Sequence, residues 1–482
     1  MVFNSAMFLF AFLPVVFILY RLMPGMKAKN ALLAVFSVLF YAFGELPHVV
    51  VLLASVSVNW GAGRLFAFPK AKKPVLVVAL VLNIGLLVVF KYLDFFIDIF
   101  NQLSGLSVAM VGLSLPLGIS FYTFSGISYL LDCYYEPEQA SRGYGKVLLF
   151  MSMFPVMAAG PILGYKNLRP QLETRETSVE KTAAGLRRFL LGLSKKLLIA
   201  DLVGPLVDAV YGCAAPDARL VILAAVAYSI QIYFDFSGCA DMAIGIGGMF
   251  GFELPENFRA PYTALSVTEF WSRWHMSLTN WFRTYLYYPL TMSKGLGKLR
   301  KRLSKAGKRK LGNRLVSVIA LLVVWLLTGL WHGPSWCYIL WGLWHGLWNI
   351  LEGIDVIQPK KIKKTLVGRV ALRVYTLLVM LLGVILFRSA NLAQAGQFFA
   401  TLVTGWHFLP ECTYLLQTSL TPLCLTALIL GIAFSAGLLG LLKKLAGNRA
   451  ERWSYIACGI LFLLCVCSLA GGGFQPFIYA QF

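Results

Sequence analysis

Apolar runs long enough to cross a bilayer recur from the first residues of this chain to the last. No polar stretch between them is long enough to build a soluble domain. A crossing helix needs ~20 mainly apolar residues. Candidates fall at 6–23, 30–45, 48–66, 74–91, 112–132, 145–163, 219–234, 315–331, 336–352, 370–387, 421–442 and 453–470. Residues 92–110, 185–212 and 239–250 read as re-entrant, interfacial or tilted segments. Only 13% of residues are charged, against about 25% in soluble domains. The expected fold class is all-α: a polytopic integral membrane protein with about 10–13 transmembrane helices plus re-entrant and interfacial helices. Residues 1–482 read as a single membrane domain. The opening stretch MVFNSAMFLFAFLPVVFILYRLM has no basic n-region and no small-residue cleavage site, so it reads as a retained first span.

The net charge of +22 would suggest nucleic acid in a soluble protein. Here Lys and Arg sit in short loops between apolar runs, the positive-inside pattern, and contact with anionic membrane lipids is the expected outcome. No basic patch is interleaved with base-stacking aromatics, so no nucleic-acid partner is expected. The nine cysteines form no CxxC pair and no zinc-ligand spacing. They read as small apolar fillers, and no metal site is expected.

Charge also places one histidine. Residues 294–314 carry Lys294, Lys298, Arg300, Lys301, Arg302, Lys305, Lys308, Arg309, Lys310 and Arg314 with no acid among them. Residues 360–373 carry Lys360, Lys361, Lys363, Lys364, Arg369 and Arg373. Both segments should be cytoplasmic. Two apolar arms lie between them, joined at His332-Gly333-Pro334-Ser335. Pro334 disfavours helix at Gly333, and the first arm, 315–331, spans roughly 26 Å as a helix. His332 therefore sits at the far tip of a hairpin. The return arm holds His345 inside Gly342-Leu-Trp-His-Gly346, small-residue spacing that suits close helix contact. His345 reads as a packed histidine at that contact.

Upstream, residues 268–290 (TEFWSRWHMSLTNWFRTYLYYPL) repeat apolar and aromatic residues with a helical period and suggest one amphipathic interfacial helix, with His275 near its apolar edge. Asp235 and Asp241 follow an apolar run, where carboxylates are costly and mark function by default. The glycines at 245, 247, 248 and 251 do not form GxGxxG, because 250 is Phe. His48 and His407, the other two histidines, lie in loops and receive no role. On residues alone, an acid–base enzyme and a proton-coupled transporter with a His/Asp relay both fit.

Longer motifs add a resemblance. The stretch 231–290 (QIYFDFSGCADMAIGIGGMFGFELPENFRAPYTALSVTEFWSRWHMSLTNWFRTYLYYPL) resembles the core signature of the membrane-bound O-acyltransferase family, bacterial alginate branch. GLWHGPSWCYILWGLWHGL resembles its histidine motif. LPLGISFYTFSGISYLLDCYY (115–135), FPVMAAGPI (154–162), ILFRSA (385–390), the opening MVFNS and the closing FIYAQF fit as well. The signature core is about 115–350. One departure is the basic run TMSKGLGKLRKRLSKAGKRKLGNR, where the family has a short Gly-Gly-Asn-Arg turn. The resemblance implies helices around a central tunnel, an acyl group taken from a cytoplasmic thioester and a hydroxyl acceptor across the membrane. It implies His332 and His275 as the catalytic histidines. Asp235, Ser237, Asp241, Asn280, Arg283 and Trp331 are implied candidates for lining the substrate path, with Asp235, Ser237 and Asp241 equally open to a purely structural hydrogen-bonding role. It further implies no resident cofactor, acetyl-CoA as donor, an extracytoplasmic acetyltransferase partner, an exported cell-surface polysaccharide as acceptor, and location in a bacterial inner membrane. D-alanyl transfer from a carrier protein to teichoic acid is the rival cargo.

Overall fold

The computed structural model describes residues 2–157, 160–447, 450–472 and 475–478. Part of the FPVMAAGPI motif, Ala158 and Ala159, lies outside the described residues, as do Met1 and the last four residues of FIYAQF. The described residues form helices joined by turns and extended connectors, with no strand. This is the expected all-α architecture, since a backbone in lipid must satisfy its own N–H and C=O groups.

Six described helices are long and apolar enough to cross a membrane: Gly25–Leu65, Pro69–Ser104, Ala218–Met249, Arg309–His332, Leu366–Arg388 and Glu451–Ala470. The pair Pro410–Ser419 and Pro422–Ser435, bent by 79°, makes a seventh if it is one span. Phe8–Leu22 and Tyr144–Met157 are shorter apolar helices. Several expected boundaries move. The expected spans 30–45 and 48–66 fall within one 41-residue helical run. The expected span at 112–132 starts only at Ile119, after an extended, mostly exposed stretch. The expected span 219–234 and the segment 239–250 are one 32-residue helix, Ala218–Met249. Asp235 follows the apolar run that ends at 234. The helix continues because 83% of its most apolar stretch is buried inside the protein, where internal partners replace lipid.

The chain folds as two compact units that exchange segments: Met1–Ser194, Gly238–Glu256 and Ala457–Phe482 in one, Lys195–Ser237 and Asn257–Ile456 in the other. In the first, Asn59 and Asn83 exchange two amide hydrogen bonds of 3.1 Å between their helices. Such a reciprocal pair satisfies both buried amides and fixes the register of the two helices. Arg188 joins Asp241 at 2.9 Å and Glu256 at 2.5 Å in the same unit.

The second unit contains the expected hairpin. Helix Arg309–His332 ends on the histidine, Gly333 and Pro334 turn the chain, and Ser335 caps the return helix Trp336–Gly353 by accepting from the Cys337 N–H. The arms touch through glycines. A methyl on Gly342 would run into the Trp325 carbonyl and reach the Gly329 backbone, and one on Gly346 would lie 2.9 Å from the Trp325 Cβ. The small-residue spacing at 342 and 346 is therefore a helix contact, as its pattern suggested. Gly342→Ala is expected to destabilise the protein by about 1–3 kcal/mol through overpacking, read as a lower thermal midpoint in detergent. Gly353→Ala, in the same helix but with open space around an added Cβ, is the control. Equal losses for both would refute the close-contact account.

Candidate functional site

Three of the five histidines come together in the second unit, each 2% exposed. His332 is boxed by rings: Trp331 at 4.8 Å, Trp341 at 4.8 Å and Phe387 at 5.1 Å between centroids. Trp331 also lies 5.9 Å from His275, so one indole separates the two histidines singled out from sequence. On the other side, Trp341 leads to His345 at 5.1 Å, and Trp271 reaches His345 at 4.9 Å. The hairpin explains this arrangement. His332 ends one arm, while Trp341 and His345 sit four residues apart on one face of the other.

The segment around His275 corrects the reading of 268–290 as a single helix. A short helix, Val267–Trp271, stops, and a second, Met276–Phe282, starts with His275 at its N-cap. A π-helical turn, Arg283–Tyr287, follows. His275 has φ 44° and ψ 52°, the left-handed region. For a residue other than glycine this costs ~1–3 kcal/mol and persists only where surrounding contacts enforce it. Those contacts are visible. The Glu352 carboxylate accepts from the Val267 and Thr268 N–H groups at 2.8 and 2.9 Å, tying the first short helix to the hairpin's return arm. The Asn257 carbonyl accepts from the Met276 N–H at 2.9 Å, and the Arg273 carbonyl from the Arg259 N–H at 2.9 Å. Helical periodicity survives the break because both halves keep their apolar residues inward.

His275 packs edge-on against Phe236 at 4.6 Å. Its Nδ1 is 3.2 Å from the Asn257 side-chain oxygen. The residue lies outside the spanning helices, and burial pushes its imidazole down to about 3, so the ring is neutral at pH 7.

The remaining candidates separate. Trp331 is buried between the two histidines. Asn280 and Arg283 are exposed. Ser237 is 1% exposed, and its hydroxyl finds no partner among the described residues. Asp241 lies in the first unit with Arg188. Asp235 is 1% exposed and meets Lys196 Nζ at 2.6 Å, while Asp201 meets the same nitrogen at 2.8 Å. Asp235 and Lys196 lie 39 residues apart in the chain, so only the fold joins them. Asn257 sits within the motif ELPENFRAPY, and only the fold brings it to His275.

Lys196→Met would leave two buried carboxylates without their cation. The expected loss is about 3–5 kcal/mol, seen as a lower melting midpoint and reduced membrane abundance. Asp235→Asn, which keeps the Lys196–Asp201 pair, is expected to lose less. A Lys196→Met protein that melts like the parent would show that the ion pair does not hold this unit together.

Comparison with known proteins places this geometry in context. Residues 119–387 match the sequence profile of MBOAT, the membrane-bound O-acyltransferase family. The chain is 33% identical, over the whole length of both proteins, to the probable alginate O-acetylase AlgI of Azotobacter vinelandii. It is 34% identical to the peptidoglycan O-acetyltransferase of Helicobacter pylori over 72% of this chain and 69% of that one. It is 28% identical to the teichoic acid D-alanyltransferase of Bacillus subtilis over 47% of this chain and 55% of that one.

Proposed function

This chain belongs to the membrane-bound O-acyltransferase family, and from that premise we propose that it acetylates an exported cell-surface polysaccharide from within the bacterial inner membrane. The acetyl donor is cytoplasmic acetyl-CoA, and the acetyl group passes toward the polymer through an extracytoplasmic acetyltransferase. Full-length similarity to an alginate O-acetylase, against a match to half of this chain for the D-alanyltransferase, favours acetyl as cargo and a polysaccharide as acceptor. The transporter reading gives way to the enzyme with the family assignment.

The observation that carries the mechanism is His332 at the hairpin tip, ringed by aromatic side chains and one indole from His275. In the proposed step the acceptor hydroxyl oxygen bonds to the thioester carbonyl carbon while His332 takes the hydroxyl proton. The tetrahedral intermediate then collapses, the C–S bond breaks, and the proton passes to the departing thiolate. The products are an acetyl ester and free coenzyme A. A positioned base of this kind contributes ~10²–10⁴-fold. Aromatic walls keep water, a competing acceptor, away from the thioester.

The basic segment supports a phosphate-bearing donor. Helix Lys294–Lys305 exposes Lys298, Arg300, Lys301, Arg302 and Lys305, and keeps Leu296, Leu299 and Leu303 half-buried. A cluster of exposed cations raises the local concentration of a polyanion such as coenzyme A.

His332→Ala, at normal membrane abundance, is expected to lower surface O-acetyl content by at least ~10²-fold. Purified protein is expected to release free thiol from acetyl-CoA in a His332-dependent manner. Unchanged acetylation in the variant would refute the mechanism. Indifference to acetyl-CoA, with turnover of a D-alanyl carrier protein, would replace the cargo.

A further inference from the structure

Asn257 directs its side-chain oxygen at three donors. That oxygen lies 3.1 Å from the Ser277 backbone nitrogen, 2.9 Å from the Ser277 hydroxyl and 3.2 Å from His275 Nδ1. The side chain is 1% exposed. Which amide atom faces this cluster is settled by chemistry. A backbone N–H can only donate, so the atom facing Ser277 must be the oxygen. That oxygen can only accept, so the ring nitrogen beside it must carry its hydrogen. His275 is therefore held as the Nδ1–H tautomer, with its lone pair on Nε2.

We propose that Asn257 is a positioning residue that locks His275 in the tautomer whose Nε2 accepts a proton or hydrogen bond. The proposal rests on the reading of His275 as part of the acyl-transfer site, and it narrows that reading. A second histidine in such a site has two possible tasks. It can donate to the developing oxyanion, or it can accept from the incoming hydroxyl or its relay. The Nδ1–H tautomer, with Nδ1 committed to Asn257, selects the second. The oxyanion donor must then be another group.

Two features fit a positioning role. The left-handed backbone at His275 is braced by the same asparagine, whose main-chain carbonyl accepts from the Met276 N–H. One residue thus fixes both the ring's rotation and the backbone that carries it. The Asn257 amide nitrogen, in contrast, has no partner among the described residues. An unsatisfied buried donor is destabilising, so stability alone does not explain an amide here. An amide oxygen does what a carboxylate would not: it orients the imidazole without favouring its charged form.

The tautomer is directly observable, because the chain has only five histidines. Protein with ¹⁵N-labelled histidine, reconstituted in lipid, is expected to show a His275 signal with protonated Nδ1 and unprotonated Nε2, assigned by its loss in His275→Gln. An Nε2-protonated His275 would overturn the proposal without touching the role of His332. Asn257→Leu is expected to lower kcat at least tenfold, with KM for acetyl-CoA within twofold. Asn257→Asp keeps the acceptor and is expected to restore most of that activity. Since Asn257→Leu also orphans the Ser277 donors, both variants are compared at matched folded fraction. A folded Asn257→Leu protein with parental kcat, or an Asn257→Asp protein as impaired as Asn257→Leu, would refute the positioning role. Loss of the mechanism itself would instead appear as a fully active His332→Ala.

Discussion

Contact between the hairpin arms sets the geometry on which the site depends. Gly342 lies against the backbone of Trp325 and Gly329, and any side chain there would force the helices apart. At that separation His332 on one arm meets Trp341 on the other at 4.8 Å, and Trp325 reaches His345 at 5.9 Å. In lipid, dispersion and close packing hold helices together, because the hydrophobic effect does not distinguish lipid from protein. Glycine is thus the residue that lets a histidine-bearing helix end be held by its neighbour rather than by water.

The same shortage of water governs the polar groups. Lys196 serves two acids at once, Asp235 and Asp201, on a segment and a helix that cannot solvate their charges. Asn257 serves three donors with one oxygen. Glu352 replaces solvent at the start of the helix Val267–Trp271 by accepting from two backbone N–H groups. These arrangements differ in purpose. The lysine cluster neutralises charge within a helix core, whereas Asn257 and Glu352 hold a short, strained segment in place. A carboxylate in an apolar run therefore does not by itself mark a catalytic group. Asp235 is ion-paired with Lys196, while the neutral Asn257 touches a candidate catalytic histidine.

The hairpin was legible in the sequence because its signals are local: basic flanks, apolar arms, a Gly-Pro turn and a small-residue spacing. The extent of Ala218–Met249 was not, since Asp235 looks like the end of a span until Lys196 is seen beside it. The break at His275 was hidden for a related reason. Periodicity counts which residues face inward, and 270, 274 and 278 are all buried on both sides of the break. Only the long-range bonds from Asn257 and Glu352 reveal that the helix is interrupted. That His332 and His275 are both buried with Trp331 between them follows from the fold alone.

Acyl transfer from a thioester to a hydroxyl suits such a site for an electrostatic reason. When the base takes the hydroxyl proton, an imidazolium and an oxyanion appear together, and their sum is zero. Collapse to ester and thiol removes both charges. A dry pocket penalises net charge far more than a compact pair of opposite charges. The ring-lined surroundings of His332 and the amide-held, neutral His275 meet that condition. A carboxylate in place of Asn257 would hold the same Nδ1–H tautomer but would bring a net charge that a dry pocket must carry, whereas the amide orients the ring without one. Neutral scaffolding around the histidines is thus part of the chemistry.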